Sequence, residues 1–198
     1  MTVPDYTSRA QRVGNLASSA RLVTMAPLVN GGDERLQFEE YARQNIYQQI
    51  QQDIDYQGLN ATAEELPGIP PEVTYFNLTQ KARLPEDTDG PYLVNWQRMP
   101  FEIEKGRIFV MNNMLRIPTI RSAVTSANIT HLPTIAFFEA ILGVESQVIQ
   151  PIFENVVPSH DVDGIANRKM VGVLWVVMDW GNYFQVRLYV KRRVLFDR

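Results

Sequence analysis

The sequence predicts an α+β fold: an N-terminal pair of long helices, then an antiparallel or mixed sheet with short flanking helices. Three observations carry this. Apolar residues recur at helical spacing through residues 4–56. Extended segments bounded by Gly, Pro and Asp clusters dominate the remainder. The longest uninterrupted apolar run, Met170–Met178, is rich in Val and carries no charge. It is far short of the roughly 20 residues that span a bilayer, and its Val content favours a strand. Apolar side chains at odd and even positions alike mean that both faces are covered. We therefore expect a central strand over 170–179, with helices on one side and a loop layer or a second subunit on the other. Gly172 marks a place where another backbone or a ligand comes close.

The first helix is expected over 4–26, where Tyr6, Ala10, Val13, Ala17 and Ala20 follow steps of four and three. Pro27 and Asn30-Gly31-Gly32 end it. Asp33 reads as the N-cap of a second helix, 34–56, with Phe38, Ala42, Ile46 and Ile50 on one stripe. Glu39 lies four residues before Arg43, the favourable order for an ion pair. The two helices would pack as an antiparallel pair. Extended segments follow at 73–78, 92–97 and 107–111, the middle one delivered by the turn cluster Pro85–Pro91. Pro118 opens a short helix over 118–126 with Ile120 and Val124 inward. Another helix is expected over 134–142, stopped by Gly143. Val148–Phe153 reads as a strand that Pro151 makes an edge or a bulged one, forming a hairpin with 170–179. Residues 184–191 alternate with period two, as a half-exposed strand does.

The 198 residues make one domain, large enough for its own core. A net charge of -3 gives no bulk attraction to nucleic acid or anionic lipid. The absence of Cys excludes disulfides, thiolate chemistry and Cys-based zinc sites. Neither a signal peptide nor a membrane-spanning segment is legible, so the chain as given reads as soluble. Against that stand the sequons at Asn60, Asn77 and Asn128, where roughly one is expected by chance. They are candidate glycosylation sites of an exported protein.

Motifs for catalysis are sparse. Asn30-Gly31-Gly32 lacks both a Walker lysine and dinucleotide spacing. His160-Asp161-Val162-Asp163-Gly164 offers too few oxygen ligands for a calcium loop and reads as a solvated turn. The pairs Glu39/Glu40 and Glu102/Glu104 read as exposed charges. Lys191-Arg192-Arg193 reads as a solvated strand end in a net acidic chain. Trp96, Trp175, Trp180 and Tyr92 fit either an aromatic pocket or plain core packing. No metal or cofactor is indicated.

A collinear set of stretches goes further. It comprises Pro4-Asp5 with Arg9-Ala10, Ala26-Pro27-Leu28-Val29, Phe38-Glu39-Glu40-Tyr41-Ala42 and Asp55-Tyr56-Gln57-Gly58. It continues with Gly90–Gln97, Pro151-Ile152-Phe153, Val171–Leu174 and Trp180 to Phe184. In this order they resemble the extracellular sensor region of receptor-type guanylate/adenylate cyclases of diatoms and related marine protists, a region similar to CHASE-type ectodomains. The resemblance spans about 3–184; the order carries it, since no single motif is diagnostic. It implies a CHASE-like ectodomain over 1–184, with a helical stalk at 1–57, a PAS-like sheet at 73–184 and a divergent tail at 185–198. The chain would be a truncated piece of a receptor that is held in the membrane by segments outside it and carries a cytoplasmic cyclase domain.

The function implied is non-catalytic sensing of a small molecule or peptide at the outer face of a membrane, with a homodimer transmitting the signal to cyclic-nucleotide synthesis. Tyr92, Trp96, Gln97, Asn112 and Asn113 are the expected pocket residues, because strand ends bearing aromatic and amide groups suit a polar organic ligand. Two alternatives stay open: a soluble enzyme with a site around His131, His160 and Asp161, and an oligomerisation module built on the N-terminal helices.

Overall fold

The computed structural model describes residues 5–16, 20–63, 69–77, 79–100, 109–140, 143–154 and 168–179. It is an α+β arrangement built on an antiparallel sheet. In chain order come α1 (Tyr6–Leu16), β1 (Ala20–Val29), α2 (Asp33–Tyr56), β2 (Thr74–Asn77), β3 (Ala82–Pro85), β4 (Tyr92–Leu93) and β5 (Gln97–Met99). A 3-10 turn (Met114–Arg116) leads to α3 (Pro118–Thr130), followed by β6 (Thr134–Ala140), β7 (Gly143–Phe153) and β8 (Met170–Asp179). The main sheet runs β4-β1-β8-β7-β6, with β5 also paired to β1, and β2 and β3 form a separate hairpin.

β8 is the central strand that its composition predicts, antiparallel to β1 on one side and β7 on the other. Both faces are covered. Val173, Trp175 and Val177 pack with Ile120, Val124 and Ala127 of α3. Leu174 and Val176 point to the opposite face, toward Tyr6 and Ala10 of α1 and Val23 and Met25 of β1. Helices thus cover both sides, in place of a helix on one and a loop layer or second subunit on the other. At Gly172 an added Cβ would lie 2.7 Å from the Ala26 carbonyl oxygen, so the close approach is that of the neighbouring strand's backbone.

α2 forms where its stripe predicts. Phe38, Ala42, Ile46, Ile50 and Ile54 are buried against Val73, Val94, Trp96 and Met111. Gly32, not Asp33, occupies the N-cap position. Glu39 is buried and pairs backward with Arg35, at 2.8 Å, rather than forward with Arg43, which pairs with Glu40. The Glu39 carboxylate also accepts from the Val73 amide at 2.9 Å, so it is a structural group and not an exposed charge.

Four expected elements differ; one is the 92–97 strand, which is two short strands, Tyr92–Leu93 and Gln97–Met99, each paired to β1. Residues 20–26 belong to β1 and not to the first helix, so α1 and α2 are separated by a strand and are not a continuous helical pair. In β1, residues 23–27 are all buried, which erases the alternation that marks a half-exposed strand. Residues 134–140 form β6 rather than a helix. The described part of 107–111 is helical turn, and the backbone extends only at Asn112 and Asn113, which bridge to Thr74 and Val94. By contrast, α3 starts with Pro118 in its first turn and buries Ile120 and Val124, running four residues past its expected end. Pro151 lies in β7 beyond the last β6 pairing at Ile149, and the β7–β8 register shifts between Ile152 and Phe153. Its missing N–H therefore falls where the strand is edge-like and next to a bulge. The tail strand at 184–191, the basic cluster at 191–193, Glu102, Glu104, Trp180 and the 160–164 turn lie outside the described residues.

Candidate ligand cleft

A buried carboxylate organises the site. Glu86 follows β3 directly, and its amide donates to the Val73 carbonyl at 3.0 Å. That bond turns its side chain inward, where none of it is exposed. Arg116 donates to it from Nη2 at 2.6 Å and from Nε at 3.0 Å, and also reaches Asp87. Asn113 Nδ2 donates at 2.9 Å, and Thr88 donates from its hydroxyl at 2.8 Å. Burial alone would raise the Glu86 pKa; the bonds from Arg116, Asn113 and Thr88 outweigh it and hold the carboxyl below its usual range.

Asn113 ties this cluster to the sheet. Its Oδ1 accepts from the amides of Leu93 and Leu115, each at 3.1 Å. The network continues toward α2. The Tyr92 hydroxyl donates to the Thr88 carbonyl, and Arg35 donates to the Glu86 carbonyl at 3.2 Å. The Arg116 guanidinium also lies 4.4 Å from the Tyr75 ring centroid. The result is a rigid polar wall linking the 85–91 turn, β4 and the 3-10 turn.

That wall borders a cleft of about 440 Å³. Small-molecule sites fall in the range of about 300–1,000 Å³. Leu28, Pro91, Leu115, Val124 and Met170 give the cleft apolar surface, while Thr88, Asn113, Arg116, Arg121, Thr125 and Asn128 give it polar edges. Among the described residues, no acidic side chain lines it. Arg121 Nε donates to the Leu115 carbonyl at 2.7 Å, which restrains a side chain that lines the cleft. The cleft therefore supplies shape, apolar surface and, at Arg121, a positive charge without a carboxylate partner among the described residues.

The five residues expected to form the pocket are not brought together. Asn113 borders the cleft. Tyr92 is a core residue whose hydroxyl serves the network above. Trp96 is buried on α2, its ring 5.5 Å from that of Phe38 in an edge-on arrangement. Trp96 and Gln97 also line a void of about 20 Å³ beside Tyr6, Thr7, Asp53 and Arg98, room for about one water molecule. Asn112 is buried, its Oδ1 accepting from the Thr74 hydroxyl at 2.8 Å. Sequence reasoning missed Arg116 and Arg121. The signal available was two arginines flanking Pro118 with no acid between Lys105 and Glu139 to pair with them.

Other candidates fall apart in space or outside the description. His131 caps α3 in a left-handed conformation and packs on Phe153, with ring centroids 4.5 Å apart. His160 and Asp161 lie outside the described residues. Among those residues, no cluster of His, Asp or Glu is placed to hold a metal ion, and no helix is long and apolar enough to cross a membrane. Of the sequons, Asn60 is exposed after α2, and Asn128 is exposed on α3 at the cleft's edge. Asn77 is half-buried, its Oδ1 accepting from the amides of Thr79 and Gln80. No protein-family model matches the sequence, and no curated protein matches it.

Proposed function

We propose that the chain is a non-catalytic ligand-sensing module, the ectodomain of a receptor-type nucleotide cyclase, and that a small molecule occupies the cleft between α3 and the 88–91 turn. The observation that carries this is the cleft: about 440 Å³, lined by apolar and polar groups, with no carboxylate in its lining among the described residues. The collinear resemblance supports the wider reading, in which the antiparallel sheet with its helices is PAS-like and the N-terminal helices lead toward the membrane. The site moves from the expected strand-end residues to the cleft, and Asn113 is common to both.

The mechanism follows from β1. Leu28 lines the cleft, and its neighbours on the same face pack toward α3. Residues on the other face, Val23 and Met25, pack on α1, and Val29 packs on α2. A ligand that prefers one placement of α3 against β1 shifts the arrangement of the helices behind the strand. Moving such an equilibrium from 1:99 to 99:1 requires about 5.5 kcal/mol of differential affinity. The wider reading is tested by the full transcript that encodes the chain. A reading frame continuing into a membrane segment and a class III cyclase domain is the expected result. A frame that encodes an unrelated catalytic domain overturns it.

A further inference from the structure

Resting on the cleft just proposed as a binding site, we infer that its ligand is a monocarboxylate with an apolar body, held by Arg121. The two arginines that line the cleft are not equivalent. Arg116 is compensated in charge by Glu86 and Asp87, which take its Nε and Nη2 donors. Arg121 bonds only through Nε, to a neutral carbonyl, and has no carboxylate partner among the described residues. Its two terminal nitrogens form a planar fork, which matches a carboxylate bidentately. The Asn128 amide, likewise without a partner among the described residues, stands on the same helix and also lines the cleft. Leu28, Leu115, Val124 and Met170 also line the cleft, a surface suited to a hydrocarbon chain and not to a sugar or a phosphate. One uncompensated guanidinium balances one negative charge; a phosphate dianion would remain half unneutralised.

The test is calorimetric titration of the full chain at pH 7 with octanoate, octanamide and inorganic phosphate. Octanoate is expected to bind at least tenfold more tightly than octanamide, and phosphate neither to bind nor to compete. Arg121→Gln is expected to weaken octanoate at least tenfold and octanamide far less. Arg121→Lys, which keeps the charge but not the fork, is expected to fall between wild type and Arg121→Gln. Equal binding of octanoate and octanamide, or indifference to both Arg121 variants, overturns the carboxylate assignment and leaves the cleft standing. Phosphate competing as strongly as octanoate also overturns it. If Val124→Trp, which fills the cleft, leaves octanoate binding unchanged, or if no probe binds, the cleft reading and this inference fall together.

Discussion

Glu86 and Asp53 are both buried carboxylates, and they impose opposite pH dependences. Glu86 is held ionised by three donors, so its pKa is lowered. The stability it contributes is complete above its unfolded pKa and is lost as pH falls. Asp53 sits in the last turn of α2, where a negative charge opposes the helix dipole. Burial raises its pKa from 3.8 to about 6, and the Thr7 hydroxyl bond only partly counters this. The folded state therefore binds the Asp53 proton more tightly than the unfolded state. Stability falls as pH rises through the window from 3.8 to about 6. Asp53→Asn keeps an acceptor for Thr7 and is expected to raise stability at pH 7 by about 2 kcal/mol. It should also flatten the decline between pH 4 and 6 in chemical denaturation curves. Glu86→Gln leaves Arg116 with Asp87 alone and is expected to cost about 2–3 kcal/mol at pH 7, with the loss shrinking at pH 3. An unchanged midpoint for either variant would contradict the corresponding account.

At the level of elements, β8 and α2 were legible because their patterns are unambiguous: an unbroken Val-rich run and a four-residue apolar stripe. β1 was not. Its residues are apolar on both faces and its preceding alanines fall at helical steps, and a short apolar run cannot be assigned by periodicity alone. β6 was misread for a different reason. Ile135 and Phe137 face outward, 51% and 59% exposed, while Ala136 faces α3, so the hydrophobic pattern is inverted relative to burial. Thr134 and Gly143 then supplied false helix signals. Gly172→Ala tests the β1–β8 pairing, because the new Cβ meets Ala26 O at 2.7 Å and Pro27 Cα at 3.1 Å, both backbone. A loss of about 1–3 kcal/mol is expected, read as a lowered denaturation midpoint; a neutral result would mean that the strands lie farther apart. Trp96→Ala is expected to cost about 3–5 kcal/mol as a core deletion. Measured under conditions where the variant stays folded, octanoate affinity should be unchanged, which separates Trp96 from the ligand site.

For the molecule as a whole, the sheet separates two tasks. One face carries α1 and α2, and the other carries α3 and the cleft, with β1 and β8 shared between them. This division was only partly readable beforehand. Asn113 was identifiable as a candidate polar lining group, although the strand expected to present it, 107–111, is not formed in its described part. The cleft itself depends on α3 meeting the 88–91 turn, a non-local contact that no local pattern encodes. Glu86 was hidden for the same reason: within Pro85–Pro91 it looks like one more solvated acid, and it is the distant Asn113 and Arg116, with Thr88, that make its burial tolerable. The most direct measurement is a ¹H–¹⁵N correlation titration of the full chain with octanoate. Saturable shifts are predicted for the amides of Thr88 to Gly90, Leu115, Arg121 to Asn128 and Met170. Shifts centred on Asp53, Trp96 and Gln97, or none that saturate, would contradict the account.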